Sequence, residues 1–141
     1  MLLSVIITTY NSEVWLQKVL EGYCNQTETN FEVVIADDGS TENTKLIIDS
    51  FSHKFQFPIQ HIWQEDNGFQ KCKILNKAIL KTNSDYLLFT DGDCIPRKDF
   101  VEIHIKYREI GYFLSGGYFK LPLSISKLIS EKDIIDSDVD L

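Results

Sequence analysis

The chain has 141 residues, of which 43% are hydrophobic, which is enough for one compact core but not for two. Its 14 basic and 21 acidic residues give a formal net charge of −7, so it lacks the basic surface that binding to nucleic acid requires. Its three cysteines are too widely spaced for a disulfide framework or a zinc site, and no segment is long and apolar enough to cross a membrane. We expect a cytoplasmic protein. Peripheral association with the inner face of the membrane and formation of a homodimer are both left open.

Strands and helices are predicted to alternate along the chain. Continuous apolar runs, rich in β-branched and aromatic residues, predict buried strands at Leu3–Thr8, Phe31–Ala36, Ile59–Trp63, Tyr86–Thr90 and Tyr112–Leu114. Apolar residues at helical spacing follow the first and third runs. Asn11 or Ser12 can cap the first helix, and Ser40 or Thr41 can cap the second. The pattern predicts an α/β fold with a Rossmann-like, mostly parallel sheet flanked by helices.

The last third of the chain has a weaker pattern. A loop at Pro96 leads into a predicted helix at Phe100–Ile105, and a turn into another helix is predicted within Leu121–Ile129. The acidic stretch Glu131–Leu141 follows without a strong stop signal. We expect residues 1–141 to be a single domain and the front part of a longer protein.

Polar residues follow four of the predicted strands. They are Thr8-Thr9-Tyr10-Asn11, Asp37-Asp38-Gly39-Ser40, Gln64-Glu65-Asp66-Asn67-Gly68 and Asp91-Gly92-Asp93. Ligands of open parallel sheets bind beyond the carboxyl ends of the strands, so these four segments should converge on one site. No Walker loop and no Gly-x-Gly-x-x-Gly motif accompanies them, which excludes those phosphate cradles.

Two carboxylates, Asp91 and Asp93, are separated by one small residue at the end of an apolar strand. They offer the hard oxygen ligands that Mn²⁺ or Mg²⁺ prefers, in the form of an ion shared with substrate phosphates. The alternative is a solvated turn with an Asp cap. A second acidic segment, Asp37-Asp38, is expected at the same edge of the sheet, and this favours the metal over the solvated turn.

The remaining rim residues have equally ordinary alternatives. Asp37 and Asp38 could accept from a base N–H or a ribose hydroxyl, or they could serve an Asp-Gly turn. Lys71 and Lys73 lie at the start of a helix, where an anion is favoured, but surface lysines are usually only solvated.

Four motifs in this order resemble family 2 glycosyltransferases with the A-type fold. They are Ser4–Asn11, Phe31–Ser40, Asp66–Phe69 with Asn76, and Asp91–Asp93. The resemblance is nearest to bacterial transferases of capsule or lipopolysaccharide synthesis, in the chondroitin-polymerase and galactosyltransferase-like branch. It implies that residues 1–141 form a single nucleotide-sugar-binding domain of a metal-dependent enzyme of polysaccharide biosynthesis.

The resemblance also implies ligands and their residues. The donor is a nucleotide-sugar, usually a UDP-sugar, the acceptor is a glycan or lipid-linked glycan, and the ion is Mn²⁺ or Mg²⁺. By position, Thr8, Thr9 and Tyr10 would border the base, Asp38 would bind uracil, and Asp91 would lie on the ribose side. The implied donor-binding residues are Thr8, Thr9, Tyr10, Asp37, Asp38, Asn67, Gly68, Lys71, Lys73, Asp91 and Gly92, and the implied metal ligands are Asp93 and Asp91.

The chain departs from the family pattern at two points. Many relatives carry Arg where this chain has Leu75, so neutralisation of the phosphates would fall to Lys71 or Lys73. The acidic catalytic base of the family has no match, so no catalytic residue is assigned. A nucleotide-sugar-binding module without turnover therefore stays open as an alternative. So does a haloacid-dehalogenase-type phosphatase, although its Asp-x-Asp pair would follow the first strand.

Overall fold

The computed structural model describes residues 2–136, which form a four-stranded parallel sheet with helices packed against it. The strands, in the spatial order β3-β2-β1-β4, are β1 Leu3–Thr9, β2 Phe31–Asp37, β3 Ile59–Trp63 and β4 Leu87–Asp91. The helices are α1 Glu13–Cys24, α2 Glu42–Phe51, α3 Lys71–Ile79, α4 Phe100–Tyr107, α5 Leu123–Leu128 and α6 Glu131–Asp136. The predicted parallel α/β sheet is confirmed.

The two central strands are buried on both faces, which explains their continuous apolar sequence. Successive side chains of a strand point to opposite faces. Val5 and Ile7 accordingly join one core cluster with α1 and α2, while Ile6 joins the other with Ile74 and Ala78 of α3.

The register aligns the ends of the strands at one edge of the sheet. Thr9 at the end of β1 pairs with Asp37 at the end of β2, and Thr8 pairs with Asp91 at the end of β4. The polar residues that follow these strands therefore begin at the same edge of the sheet. This alignment brings distant parts of the chain to one site.

The strand predicted at Tyr112–Leu114 is wrong. Residues 108–122 contain neither helix nor strand, and Phe113 is 88% exposed. Apolar and aromatic residues favour a strand only where a neighbouring strand and a packed face accept them. Within residues 2–136, Tyr112–Leu114 have neither a neighbouring strand nor a packed face, so their apolar composition indicated a strand that does not form.

The helix caps differ in detail from the prediction. Ser12 and Thr41 occupy the N-cap positions of α1 and α2, but neither side chain makes a capping hydrogen bond. Instead, Asn11 Oδ1 accepts from the Thr41 backbone N–H at 2.9 Å, and Ser40 Oγ accepts from the Asn11 N–H at 2.8 Å. The residues before the two helices thus connect the loops that follow β1 and β2.

The last two helices return to the outer side of α1. Lys18 Nζ donates to the Ser126 carbonyl at 2.8 Å, and Ile134 of α6 is buried. Within residues 2–136, no helix has the length and apolar character needed to span a membrane.

Candidate functional site

A cleft with two compartments lies at the carboxyl ends of the strands. The larger compartment, which we call the apolar cavity, has a volume of about 300 Å³ and is lined by Thr8, Thr9, Tyr10, Ala36, Asp38, Asp66, Gly68, Phe69, Lys71 and Ile74. The smaller compartment, which we call the acidic cavity, has about 200 Å³ and is lined by Thr8, Thr9, Tyr10, Ser12, Asp91, Gly92 and Asp93. Three shared residues join the two compartments into one cleft. A mostly apolar cavity with a few convergent polar groups is typical of a small-molecule site.

Asp38 supplies a buried carboxylate to the apolar cavity. It is 8% exposed, and its Oδ1 accepts from Gln64 Nε2 at 2.6 Å while its Oδ2 accepts from the Gln70 backbone N–H at 2.8 Å. An ionised carboxylate has about four acceptor sites, so each oxygen can accept one further bond. Asp38 is thus fixed in place and still able to bind an N–H or O–H group of a ligand.

Asp37, its neighbour in sequence, has a different role. It is fully buried, lines neither cavity, and accepts from the Ser40 N–H and bonds His61 Nε2, each at 2.8 Å. Burial by itself raises the pKa of Asp37, but the hydrogen bonds from His61 and Ser40 outweigh it and hold that pKa below its usual range. In place of the ligand contact predicted for it, Asp37 fixes the turn that carries Asp38.

Asp91 lies at the junction of the two compartments. Its Oδ1 accepts from Lys71 Nζ at 2.6 Å and from Thr8 Oγ1 at 2.8 Å. These two hydrogen bonds, that of Lys71 above all, lower the pKa of the carboxyl group. Asp93, predicted to bind the metal, is exposed and lines the acidic cavity.

Gly92 separates the two carboxylates because the turn has no room for a side chain. Its N–H donates to the Thr8 carbonyl at 2.8 Å, and a Cβ at this position would lie 2.7 Å from the same oxygen. The turn after β4 therefore rests directly on the end of β1. This contact holds Asp91 and Asp93 beside the threonines of the first strand.

The loop after β3 forms the outer wall of the apolar cavity. Asp66 accepts from the Tyr10 hydroxyl at 3.0 Å and from the Gly68 N–H at 3.1 Å. A Cβ on Gly39, whose φ is +102°, would lie 2.6 Å from Asp66 Cα, so the loop packs closely on the turn after β2. Asn67, predicted to bind the donor, is exposed and lines neither cavity.

Several residues to which the sequence assigned no ligand contact contribute to the cleft, among them Asp66, Phe69 and Gln64. Asp66 and Phe69 line the cleft, and Gln64, which does not line it, donates a hydrogen bond to Asp38. Gln64 Oε1 and the lining Thr9 Oγ1 are buried without a hydrogen-bond partner within residues 2–136. Buried polar atoms are nearly always paired, so an unpaired one beside a cavity marks a place for a ligand or a water. The segment Gln64–Phe69 was recognised as a motif, but the roles within it were not.

The lysines at the start of α3 differ in position. Lys71 lines the apolar cavity and bonds Asp91, whereas Lys73 is exposed and lines neither cavity. Among the residues that line the two compartments, Lys71 carries the only basic side chain. The structure therefore favours Lys71 over Lys73 as the residue that meets an anion.

The donor set fits a divalent ion that is shared with a ligand. No group of three or more His, Cys, Asp or Glu residues that could hold a metal occurs within residues 2–136. Asp91 and Asp93 supply two hard carboxylates at the acidic cavity. Mg²⁺ and Mn²⁺ are commonly held by one or two carboxylates together with substrate phosphates, which is the arrangement this pair allows.

The sheet order places the acidic cavity between β1 and β4, where the strand order reverses. A parallel α/β sheet with its cleft at this switch point belongs to the class of open α/β domains that bind their ligands beyond the carboxyl ends of the strands. Residues 4–114 match the model of glycosyl transferase family 2, and the chain belongs to that family. The predicted resemblance and the A-type fold are confirmed, and nothing supports the phosphatase alternative.

The curated relatives are much longer than this chain. It is 33% identical over 105 residues to the chondroitin synthase of Escherichia coli, a match that covers 74% of this chain and 15% of that protein. It is 34% identical over 92 residues to the poly(ribitol-phosphate) beta-N-acetylglucosaminyltransferase TarS of Staphylococcus aureus, covering 64% of this chain and 16% of TarS. The chain thus spans about a sixth of the length of these two transferases.

Solved structures show the same fold. The crystal structure of S. aureus TarS 1-349 in complex with UDP-GlcNAc superposes with a TM-score of 0.64 at 30% identity, covering 75% of this chain and 30% of that chain. The mannosyltransferase PcManGT from Pyrobaculum calidifontis, in complex with GDP-Man and Mn²⁺, has a TM-score of 0.63 at 22% identity and shares the fold. Helices α5 and α6 lie after the region that the family model matches.

Proposed function

We propose that this chain binds a UDP-sugar and forms the donor-binding part of an enzyme that transfers a hexose to a glycan acceptor with the help of Mn²⁺ or Mg²⁺. One observation carries the proposal: a single cleft joins a base-sized apolar cavity, with a buried carboxylate, to an acidic turn. A nucleotide diphosphate has the matching polarity, since its base is flat and largely apolar and its phosphates require cations.

Asp38 is proposed to recognise the base. An ionised carboxylate only accepts hydrogen bonds, so it suits a base edge whose ring nitrogen carries a hydrogen, as in uracil, thymine and guanine. Adenine and cytosine present an acceptor ring nitrogen there, beside an exocyclic amino group, and match a carboxylate less well. The apolar side chains of Ala36 and Ile74 and the ring of Tyr10 provide surfaces for the base. TarS, which is similar to this chain, has been crystallised with UDP and with UDP-GlcNAc, and this supports uracil among the three candidate bases.

Asp91, Asp93 and Lys71 are proposed to face the diphosphate. A divalent ion held by the two carboxylates would neutralise the charge that develops on the departing diphosphate. Lys71 adds a point charge that needs only a small movement to reach the same phosphates. Thr8 donates its hydroxyl to Asp91 and so keeps that carboxylate turned toward the cleft.

Activation of the acceptor has no assigned residue. The acidic residues that line the cleft are Asp38, Asp66, Asp91 and Asp93, and each already has a role in the proposed donor site or in the loop beside it. General-base assistance is typically worth about 10² to 10⁴ in rate. We therefore expect residues 1–141 alone to bind the donor with little transfer, which is the behaviour of the binding-module alternative.

Thermal unfolding of the chain with UDP, UDP-GlcNAc and GDP-mannose, each with Mn²⁺ or with EDTA, tests the proposal. A ligand that binds only the native state raises the unfolding temperature according to its concentration relative to Kd. We expect uridine nucleotides to stabilise the chain, and to do so more strongly with Mn²⁺. No shift with any of the three nucleotides would overturn donor binding, and equal shifts in Mn²⁺ and EDTA would overturn the shared ion.

A further inference from the structure

The single ammonium in the cleft is already engaged with a carboxylate. Lys71 Nζ lies 2.6 Å from Asp91 Oδ1, and the side chains of the two residues are 38% and 57% exposed. An ion pair this open to water is weak, since solvent screens the charges and two flexible groups must be ordered. The pair can therefore break when a stronger partner for either member arrives.

The net negative charge of the cleft favours an exchange of partners by both Lys71 and Asp91. Its lining residues include four carboxylates and one ammonium, a net charge of −3. A diphosphate entering such a cleft is repelled unless cations compensate it. A divalent ion that approached Asp91 would meet a carboxylate already neutralised by the ammonium of Lys71.

We propose that Lys71 is a displaceable counter-ion, which neutralises Asp91 in the unliganded protein and moves to the diphosphate when a divalent ion takes its place. The inference rests on the proposed donor site. It goes beyond that site in assigning part of the cooperativity between ion and nucleotide to the exchange of partners by Lys71 and Asp91. A nucleotide that draws Lys71 away frees Asp91 for the ion, and an ion at Asp91 frees Lys71 for the phosphates. Linkage makes the two effects equal.

The counter-ion role has a consequence that a plain phosphate-binding lysine lacks. If Lys71 competes with the ion, its removal must strengthen the binding of Mn²⁺ to the protein without nucleotide. If Lys71 only binds phosphate, its removal leaves Mn²⁺ binding unchanged in the absence of nucleotide. The sign of the effect on the ion alone therefore separates the two roles.

Titration with Mn²⁺ alone, followed by electron paramagnetic resonance of the free ion, measures this sign. We expect Lys71→Met to bind Mn²⁺ about tenfold more tightly than the unmodified chain, because a positive charge a few ångströms from the ion is removed. Lys71→Arg keeps the charge and should remain as weak as the unmodified chain. Lys77→Met removes the same charge from the last turn of α3, outside both compartments, and should have no effect.

The cooperativity itself is measured as the ratio of the UDP Kd in EDTA to that in saturating Mn²⁺. We expect this ratio to fall severalfold in Lys71→Met and to stay the same in Lys77→Met. Unchanged or weaker Mn²⁺ binding by a folded Lys71→Met overturns the counter-ion role, even if UDP binds normally. Tighter Mn²⁺ binding in a chain that does not bind UDP would instead contradict the donor site. Should Lys71→Met fail to fold, Lys71→Gln provides the same loss of charge.

Discussion

Carboxylates lie at both ends of the strands of the sheet, and Glu32 at the amino end differs from Asp91 and Asp93 at the carboxyl end. At the amino end, Glu32 is fully buried and accepts hydrogen bonds from Ser4 Oγ, the Asn83 N–H and Nδ2, and Gln60 Nε2, at 2.6 to 3.1 Å. At the carboxyl end, Asp91 and Asp93 remain exposed. A carboxylate enclosed by internal donors has no capacity left for a ligand, whereas an accessible one does. The acceptor sites of Glu32 are all filled by internal donors, whereas Asp38, Asp91 and Asp93 keep free acceptor sites for a ligand.

Removal of the buried acid at the amino end should have the largest effect on stability. Glu32→Ala leaves the buried Ser4 hydroxyl without its acceptor, which costs about 1–3 kcal/mol, and it also removes the hydrogen bonds that the less buried Gln60 and Asn83 donate. We expect the free energy of unfolding, measured in urea, to fall by about 3 kcal/mol or more. Asp93→Ala is the control at the carboxyl end and should change it by less than about 0.5 kcal/mol. A small loss in Glu32→Ala would remove the distinction between the two ends.

The sequence predicted more of the fold than of the candidate site. The four strands β1 to β4 were predicted within a few residues. Burial on both faces leaves a continuous apolar run in the central strands β1 and β2, and the edge strands β3 and β4 have shorter runs of the same kind. The fifth strand failed because Tyr112–Leu114 has the same composition without a partner, and pairing over long separations is not visible in one sequence.

Within the site, the sequence could not distinguish Asp37 from Asp38. Successive strand residues face opposite ways, and the choice depends on His61, which lies 24 residues away. Lys71 could have been separated from Lys73, because Lys71 lies three and seven residues before the buried Ile74 and Ala78 and so shares their face of α3.

Within the carboxyl end, Asp38 should contribute more to nucleotide binding than the exposed acids do. Asp38→Ala removes a charge-assisted hydrogen bond from a partly buried position, which costs on the order of 1.5–3 kcal/mol, or roughly ten- to a hundredfold in Kd. The loss should be the same with Mn²⁺ and with EDTA, since the proposed contact is to the base. Titration calorimetry with UDP measures both values. Unchanged affinity would place base recognition elsewhere on the rim.

Asp93 should affect only the part of nucleotide binding that depends on the ion. Asp93→Ala removes one of two carboxylates from the acidic cavity, and we expect UDP affinity in Mn²⁺ to fall about tenfold, or about 1.4 kcal/mol. In EDTA the affinity should stay the same or rise slightly, because one negative charge near the phosphates is gone. An equal loss in both conditions would show that Asp93 contacts the nucleotide or the fold directly.

The smallest expected effect is a difference in pH dependence between the two ends. Burial alone raises the pKa of Glu32, but the hydrogen bonds from Ser4 and Asn83 outweigh it, so its pKa in the folded protein is lowered. Because folding lowers the pKa of Glu32, the ionised carboxylate stabilises the native state at pH values above the pKa in the unfolded chain, which is near 4.3 for Glu. This stabilisation is lost as the pH falls through the pKa in the folded protein.

Glu32→Ala should therefore flatten the loss of stability measured by urea unfolding between about pH 5 and pH 3. Asp91→Asn should flatten it less, although the pKa of Asp91 is also lowered, because the Lys71 hydrogen bond responsible is exposed and worth less than about 1 kcal/mol. A stronger flattening in Asp91→Asn would mean that the carboxyl end holds its charges as tightly as the amino end, and the contrast between them would fail.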